Sequence, residues 1–480
     1  MLFNSIDFAI FIPIFFMIYW LVAKKLTVRN VFLLASSYLF YGWWDWRFLF
    51  LIAFSSIIDY TIGEKIHTAV NLKIKKRYLA TSLFVNLGLL AYFKYANFFI
   101  DSFISSFRLF GANIDQVSLN IILPVGISFY TFQTLSYTID IYRGKLAPSK
   151  DALSFFTFVA FFPQLVAGPI ERASHLLPQF HKTYRFNYSA VKSGVLLMAF
   201  GLFKKMVIAD RLAIVVNEVY SNPTDHGGQD LIIATVFFAF QIYCDFSGYS
   251  DIAIGISRTL GFDLMKNFET PYFATSITDF WRRWHISLSS WFRDYVYIPL
   301  GGSRKSEFRV YLNLFIVFVV SGLWHGAAIT FIIWGFIHGC FIVAEKACSN
   351  HGLIIKRDPA LKTGVFTLFT FAIVCFAWVF FRANSLSDSI YIASNLFNFT
   401  PEFKNFYDLG LDSHEFDFAI IIIVLLLLFD FIHRKYNAVI LLNKTPFLLR
   451  SLVYLVIIYA IFIFGIYGEG SVSEFIYFQF

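Results

Sequence analysis

Between Val310 and Ala344 the chain runs for 35 residues without an Asp, Glu, Lys or Arg. Solvent-facing positions of a soluble fold need charge, whereas hydrocarbon excludes it, so this run reads as membrane sequence. One membrane helix takes about 20 apolar residues. The run is too long for one span and reads as two, with a break between Gly322 and Thr330. Further candidate spans lie near 7–23, 30–44, 47–63, 78–100, 118–139, 152–170, 193–217, 229–248, 363–381, 417–432 and 449–468. That makes about 11 to 13 membrane helices.

Composition agrees. Charged residues are 15% of the 480 positions and hydrophobic ones 58%, against about 25% charged in soluble domains. The 63 Phe suit a lipid-facing exterior with aromatic interfaces. The expected fold is an all-α polytopic membrane protein, one domain over 1–480, with lipid as its solvent. Its polar motifs concentrate at about 241–345, with short interfacial or re-entrant pieces around 250–300. The net charge of +8 belongs to cytoplasmic loops in such a chain and is no sign of nucleic-acid binding. Lys24, Lys25 and Arg29 follow the first apolar stretch, and Lys65, Lys73, Lys75, Lys76 and Arg77 crowd the loop 64–77. Both loops are therefore expected in the cytoplasm, with the N-terminus outside and the first stretch a retained span, not a signal peptide. Cys244, Cys340, Cys348 and Cys375 lack metal-ligand spacing and read as buried thiols. No metal cluster, P-loop or dinucleotide fingerprint is present.

Three polar motifs interrupt the apolar sequence. In Gln241-Ile-Tyr-Cys-Asp245-Phe-Ser247-Gly-Tyr-Ser-Asp251, two carboxylates and two serines follow a span directly. This is the pattern of backbone leaving regular helix. Asp245 and Ser247 either cap helix ends or contact a substrate. In Trp281-Arg282-Arg283-Trp284-His285-Ile-Ser-Leu288-Ser289-Ser-Trp291, a helix would place Trp281, Trp284, His285 and Leu288 on one face. Such a stretch is either an interfacial amphipathic helix or a basic, aromatic gate for an anionic, nucleotide-bearing ligand.

The third motif, Ser321-Gly322-Leu-Trp324-His325-Gly326, carries a histidine 16 residues after Arg309. A helix of that length places it about 24 Å along a core about 30 Å thick. An ionisable group at that depth is expensive, and the default reading is functional, facing a cavity. Gly322 and Gly326 leave room beside it for a second backbone or a ligand. Histidine is also the side chain best suited to take a hydroxyl proton near neutral pH. The Gly-x-x-His-Gly pattern recurs at Gly335-Phe-Ile-His338-Gly339, nearer an interface.

The sequence resembles the membrane-bound O-acyltransferases, and among them the type that acetylates alginate in bacterial polysaccharide systems. The likeness covers most of the chain. It rests on Phe93-Lys-Tyr-Ala-Asn-Phe98, Leu123-Pro-Val-Gly126-Ile-Ser-Phe-Tyr130, Gln164-Leu-Val-Ala-Gly-Pro-Ile170, and Phe203-Lys204-Lys205 with Ala209-Asp210. The three polar motifs above and the closing Phe475-Ile-Tyr-Phe-Gln-Phe480 complete it. The resemblance implies that His325 is the catalytic histidine and that His285 occupies the family's second functional polar position. It also implies acetyl-CoA as donor substrate without a further cofactor, and a funnel through the inner membrane. A separate extracytoplasmic acetyltransferase partner of the SGNH-hydrolase type is implied as well. Trp281, Arg282, Trp284, Ser289 and Trp324 are the candidates for substrate binding beside Asp245 and Ser247, and backbone amides or the Trp324 or Trp284 N–H for holding the oxyanion. A lipid- or protein-acylating relative and a non-enzymatic transporter are the competing readings.

Overall fold

A computed structural model describes residues 1–109, 119, 121–166, 168–352, 360–399, 407, 409–436, 441–442, 444–467 and 475–476. These residues form helices joined by short turns, with no strand among them. Seven described helices are long and apolar enough to cross a membrane: Leu72–Arg108, Gly228–Thr259, Glu307–His325, Ile329–Asn350, Gly364–Arg382, Ser413–Tyr436 and Phe447–Phe464. Ile6–Val22 is a shorter apolar helix. Leu26–Asp45, Phe48–Thr68 and Ile127–Tyr142 are helices at three further expected spans, each carrying buried polar side chains. The chain divides into two compact units, Met1–Val195 with Ala253–Met265, and Leu196–Ile252 with Lys266–Phe480.

In the first unit the helix Ile127–Tyr142 is buried at nearly every position and packs against Phe48–Thr68, Leu72–Leu90 and Ala152–Ala160. It starts at Gly126, whose backbone is left-handed (φ 73°). A Cβ there would lie 2.4 Å from the Leu165 carbonyl oxygen, so only glycine fits this junction. The first half of the expected span 118–139 precedes this cap, and 118 and 120 lie outside the described residues. The buried Asp59 carboxylate is held by neutral donors: Ser82 Oγ at 2.6 Å and Asn86 Nδ2 at 2.9 Å. Such satisfaction lets a carboxyl sit among helices.

One expected span is corrected in this unit. Residues 152–170 do not cross a membrane as one helix. Ala152–Ala160 has nine residues, about 14 Å of helix, and the chain then turns at Phe161 into a four-residue helix containing Pro163. Phe155, Phe158, Phe161 and Phe162 are fully buried. The apolarity of this stretch serves protein packing, which hydropathy cannot tell from lipid exposure.

In the second unit Glu307–His325 and Ile329–Asn350 form a tight hairpin, broken within the interval expected from sequence. A Cβ at Gly322 would meet the Phe331 carbonyl oxygen at 2.2 Å, and one at Gly335 the Phe318 carbonyl oxygen at 2.3 Å. The small residues beside His325 therefore admit a second backbone, not a ligand. The stretch Asp245–Asp251 is also corrected: the helix Gly228–Thr259 runs through it without a break. Its carboxylates tolerate the helix because lysines neutralise them. Cys244 and Cys375 are buried as expected, whereas Cys340 and Cys348 are exposed.

Candidate active site

His325 is the last residue of its helix and 2% exposed. Aromatic rings enclose it: Trp334 at 4.9 Å, Trp324 at 5.0 Å and Phe381 at 5.3 Å between centroids, all edge-on. Its ring lies 6.5 Å from that of His285, which is fully buried. This is too far for a direct hydrogen bond between the two imidazoles. Both rings thus border one spot without consuming each other's nitrogens.

His285 reaches that spot by a break in the chain. The expected continuous helix over the second motif is absent. Ile277–Arg283 ends, Trp284 is extended, and His285 caps Ile286–Phe292 with left-handed backbone (φ 43°). That conformation costs a residue with a Cβ about 1–2 kcal/mol, and Asn267 holds it. The Asn267 carbonyl accepts from Ile286 N at 2.9 Å, and its Oδ1 accepts from Ser287 N at 3.2 Å and Ser287 Oγ at 2.9 Å. Because a backbone N–H can only donate, this side-chain atom is the amide oxygen. His285 Nδ1, 3.2 Å from it, therefore carries the proton, and the basic lone pair of neutral His285 is on Nε2. Phe246 closes the other side, 4.6 Å away and edge-on.

The interfacial reading of this motif is corrected as well. Trp281, Trp284, His285 and Leu288 are all buried (8% exposed or less). Trp284 stacks on Phe280 at 5.5 Å and packs beside Trp378 at 5.2 Å. Trp281 donates from Nε1 to His338 Nδ1 at 3.3 Å. Arg282 is exposed, and Arg283 pairs with Asp279 at 3.0 Å. Ser289 Oγ donates to the Trp284 carbonyl at 3.4 Å. Trp324 is buried beside both histidines' rings, 5.0 Å from that of His325 and 6.1 Å from that of His285.

Asp245 and Ser247 take a different place. Lys205 Nζ lies 2.7 Å from Asp210 and 2.8 Å from Asp245, all three at most 3% exposed. The other Asp245 oxygen accepts from Ile476 N at 2.7 Å. Lys204 donates to Ser247 at 2.9 Å and pairs with Asp251 at 2.5 Å. The π-helical turn Phe203–Ala209 thus sends both lysines onto the helix Gly228–Thr259, and Asp245 and Ser247 are engaged in holding it. Of the closing motif, Phe475 packs on Tyr249 at 4.4 Å; residues 477–480 lie outside the described ones. Asn267, Trp334 and Phe381 escape sequence reading because a lone Asn in irregular chain and aromatics among 63 Phe carry no pattern. Among the described residues no three or more His, Cys, Asp or Glu side chains gather as metal ligands would.

The family model for membrane-bound O-acyltransferases matches residues 145–385, which contain both histidines. A Pseudomonas putida protein described as "Probable alginate O-acetylase AlgI" is 42% identical over 83% of this chain and 81% of its own length. The "Peptidoglycan O-acetyltransferase" of Helicobacter pylori is 36% identical over 82% of this chain and 80% of its own. More distantly, the "Teichoic acid D-alanyltransferase" of Bacillus subtilis is 27% identical over 55% of this chain and 69% of its own. This chain, a multi-pass membrane acyltransferase, belongs to the membrane-bound O-acyltransferase family.

Proposed function

We propose that the protein sits in the inner membrane and takes acetyl from cytoplasmic acetyl-CoA. It passes the acetyl to a hydroxyl for O-acetylation of an extracytoplasmic polysaccharide such as alginate or peptidoglycan. The observation that carries this reading is the pair of buried histidines, 6.5 Å apart between ring centroids, in a chain whose relatives bear acetyl-transfer names. In the reaction the acceptor oxygen attacks the thioester carbonyl and its proton passes to His325. The tetrahedral adduct then collapses, and the CoA thiolate leaves with that proton. General-base help of this kind is worth about 10²–10⁴-fold in rate. The lone pair that Asn267 leaves on His285 Nε2 favours a second assignment within the same reaction. There His285 accepts the hydroxyl proton, and a His325 N–H faces the developing oxyanion or the leaving sulfur.

A histidine among buried aromatics is poorly placed to meet the interior of a polymer, whereas a small acceptor or one protruding side chain can reach it. Acetyl therefore goes first to a hydroxyl on a separate SGNH-type partner and then to the glycan. The experiment is transfer of radiolabelled acetyl in proteoliposomes, with and without the partner and the polymer. His325→Ala abolishes transfer while the protein stays folded and inserted; near-normal transfer by that variant refutes the catalytic reading. Full polymer acetylation without the partner refutes the relay, and label on lipid instead supports a lipid-acylating enzyme. Transport of acetyl-CoA without thioester cleavage would make the chain a transporter.

A further inference from the structure

Trp334, His338, Ile342 and Glu345 fall on one stripe of the helix Ile329–Asn350, at helical spacings of four, four and three. Against this stripe lies the short helix Ile277–Arg283. Glu345 grips its first turn: Oε1 accepts from Ile277 N at 2.5 Å, and Oε2 accepts from Thr278 N at 2.9 Å and Thr278 Oγ at 2.6 Å. Two turns away, His338 Nδ1 accepts from Trp281 Nε1 at 3.3 Å, its ring stacked on Phe280 at 6.2 Å and 4°. A carboxylate thus holds the first turn of one seven-residue helix, and an imidazole its following turn.

What that helix leads to gives the grip its consequence. His285 follows Arg283 by two residues, and His325 precedes Ile329 by four. Each histidine is the next chain feature beyond one of the two clamped helices. One turn beyond His338 on the same stripe, Trp334 touches His325 at 4.9 Å and His338 at 5.0 Å between centroids. A shift of Ile277–Arg283 along the stripe moves His285 relative to His325, and effects of about 100-fold can follow from a 1 Å misplacement.

We infer that Glu345 and His338 are positioning residues that set the spacing of His285 and His325 by clamping Ile277–Arg283 onto Ile329–Asn350. The inference rests on the acyl-transfer reading of the two histidines. Neither residue touches the reacting atoms; both act through His285. The test compares steady-state acetyl transfer from acetyl-CoA for Glu345→Ala, His338→Leu and the milder Thr278→Val in the full-length protein with its partner. Each of the first two lowers kcat roughly 10-fold or more, while KM for acetyl-CoA stays within about twofold. His338→Asn, which keeps an acceptor for Trp281, and Glu345→Gln, which keeps one oxygen, recover part of kcat. In the residual rate of His285→Ala, adding Glu345→Ala causes no further loss, because the residue through which it acts is gone. Additive losses, or losses in KM alone, overturn the inference. So does a wild-type kcat in the folded clamp variants beside an inactive His325→Ala. Full activity in both His325→Ala and His285→Ala overturns the catalytic reading itself. Should Glu345→Ala fail to fold, Thr278→Val and Glu345→Gln carry the same comparison.

Discussion

Replacing Lys205 with Met removes the cation that pairs with the buried carboxylates of both Asp210 and Asp245. At contacts of 2.7 and 2.8 Å and an effective dielectric of about 20, each ion pair carries roughly 6 kcal/mol of attraction. Desolvation of three buried ions and repulsion between the carboxylates offset most of it. What remains after deleting the shared partner is the cost of uncompensated buried charge, about 3–5 kcal/mol. Met keeps the volume of the lysine stem, so little packing is lost. Asp245→Asn behaves differently. Its oxygen still accepts from Ile476 N, Lys205 keeps Asp210, and the excess negative charge disappears, so the loss is about 1 kcal/mol. Unfolding in mixed micelles against a denaturing detergent reads both. If Lys205→Met unfolds like the wild type, or Asp245→Asn keeps full stability and raises KM for acetyl-CoA, the structural assignment of Asp245 is wrong and a substrate contact is right.

Asn267→Leu keeps the side-chain volume but removes the acceptor of His285 Nδ1, so acetyl transfer falls roughly 10- to 100-fold with donor KM nearly unchanged; kcat within twofold of wild type refutes the tautomer argument. Gly335→Ala drives a Cβ into the Phe318 carbonyl and costs about 1–3 kcal/mol, read as a lower unfolding midpoint, whereas an unshifted midpoint denies the close approach. His175 lies outside the membrane spans, and the Glu171 carboxylate bonded to it raises its pKa above the ordinary 6.5. Its contribution is complete below about pH 6.5 and is lost as pH rises through the folded-state value. Stability of wild type relative to His175→Gln therefore narrows above neutral pH, by less than about 1 kcal/mol because the ring is 41% exposed; a gap that widens contradicts the pair. Asn71→Cys is labelled by a membrane-impermeant reagent only from the cytoplasmic side, and labelling from outside reverses the assigned orientation.

Membrane residence and the hairpin broken after His325 are legible in sequence, because hydrocarbon acts on each residue separately. An uncharged run of 35 residues has one solvent that suits it, and a Gly-rich interruption in it has few places to go. The motifs mark out individual polar residues, yet the partners of those residues lie elsewhere in the chain. Asp245 is an ion-pair residue because Lys205 and the amide of Ile476, 231 positions away, converge on it. From the chain alone the same carboxylate looks like a helix cap or a substrate ligand in broken helix. The stripe Trp281, Trp284, His285, Leu288 is buried where its pattern suggests an interface, and it is broken by a left-handed turn that Asn267 stabilises across 18 positions. Residues 152–170 are as apolar as a true span and are consumed by protein packing instead. Apolarity is a sum over neighbours in sequence. The protonation of His285, the pairing of Lys205 and the clamp at Glu345 are set by neighbours in space, and only the folded chain brings those together.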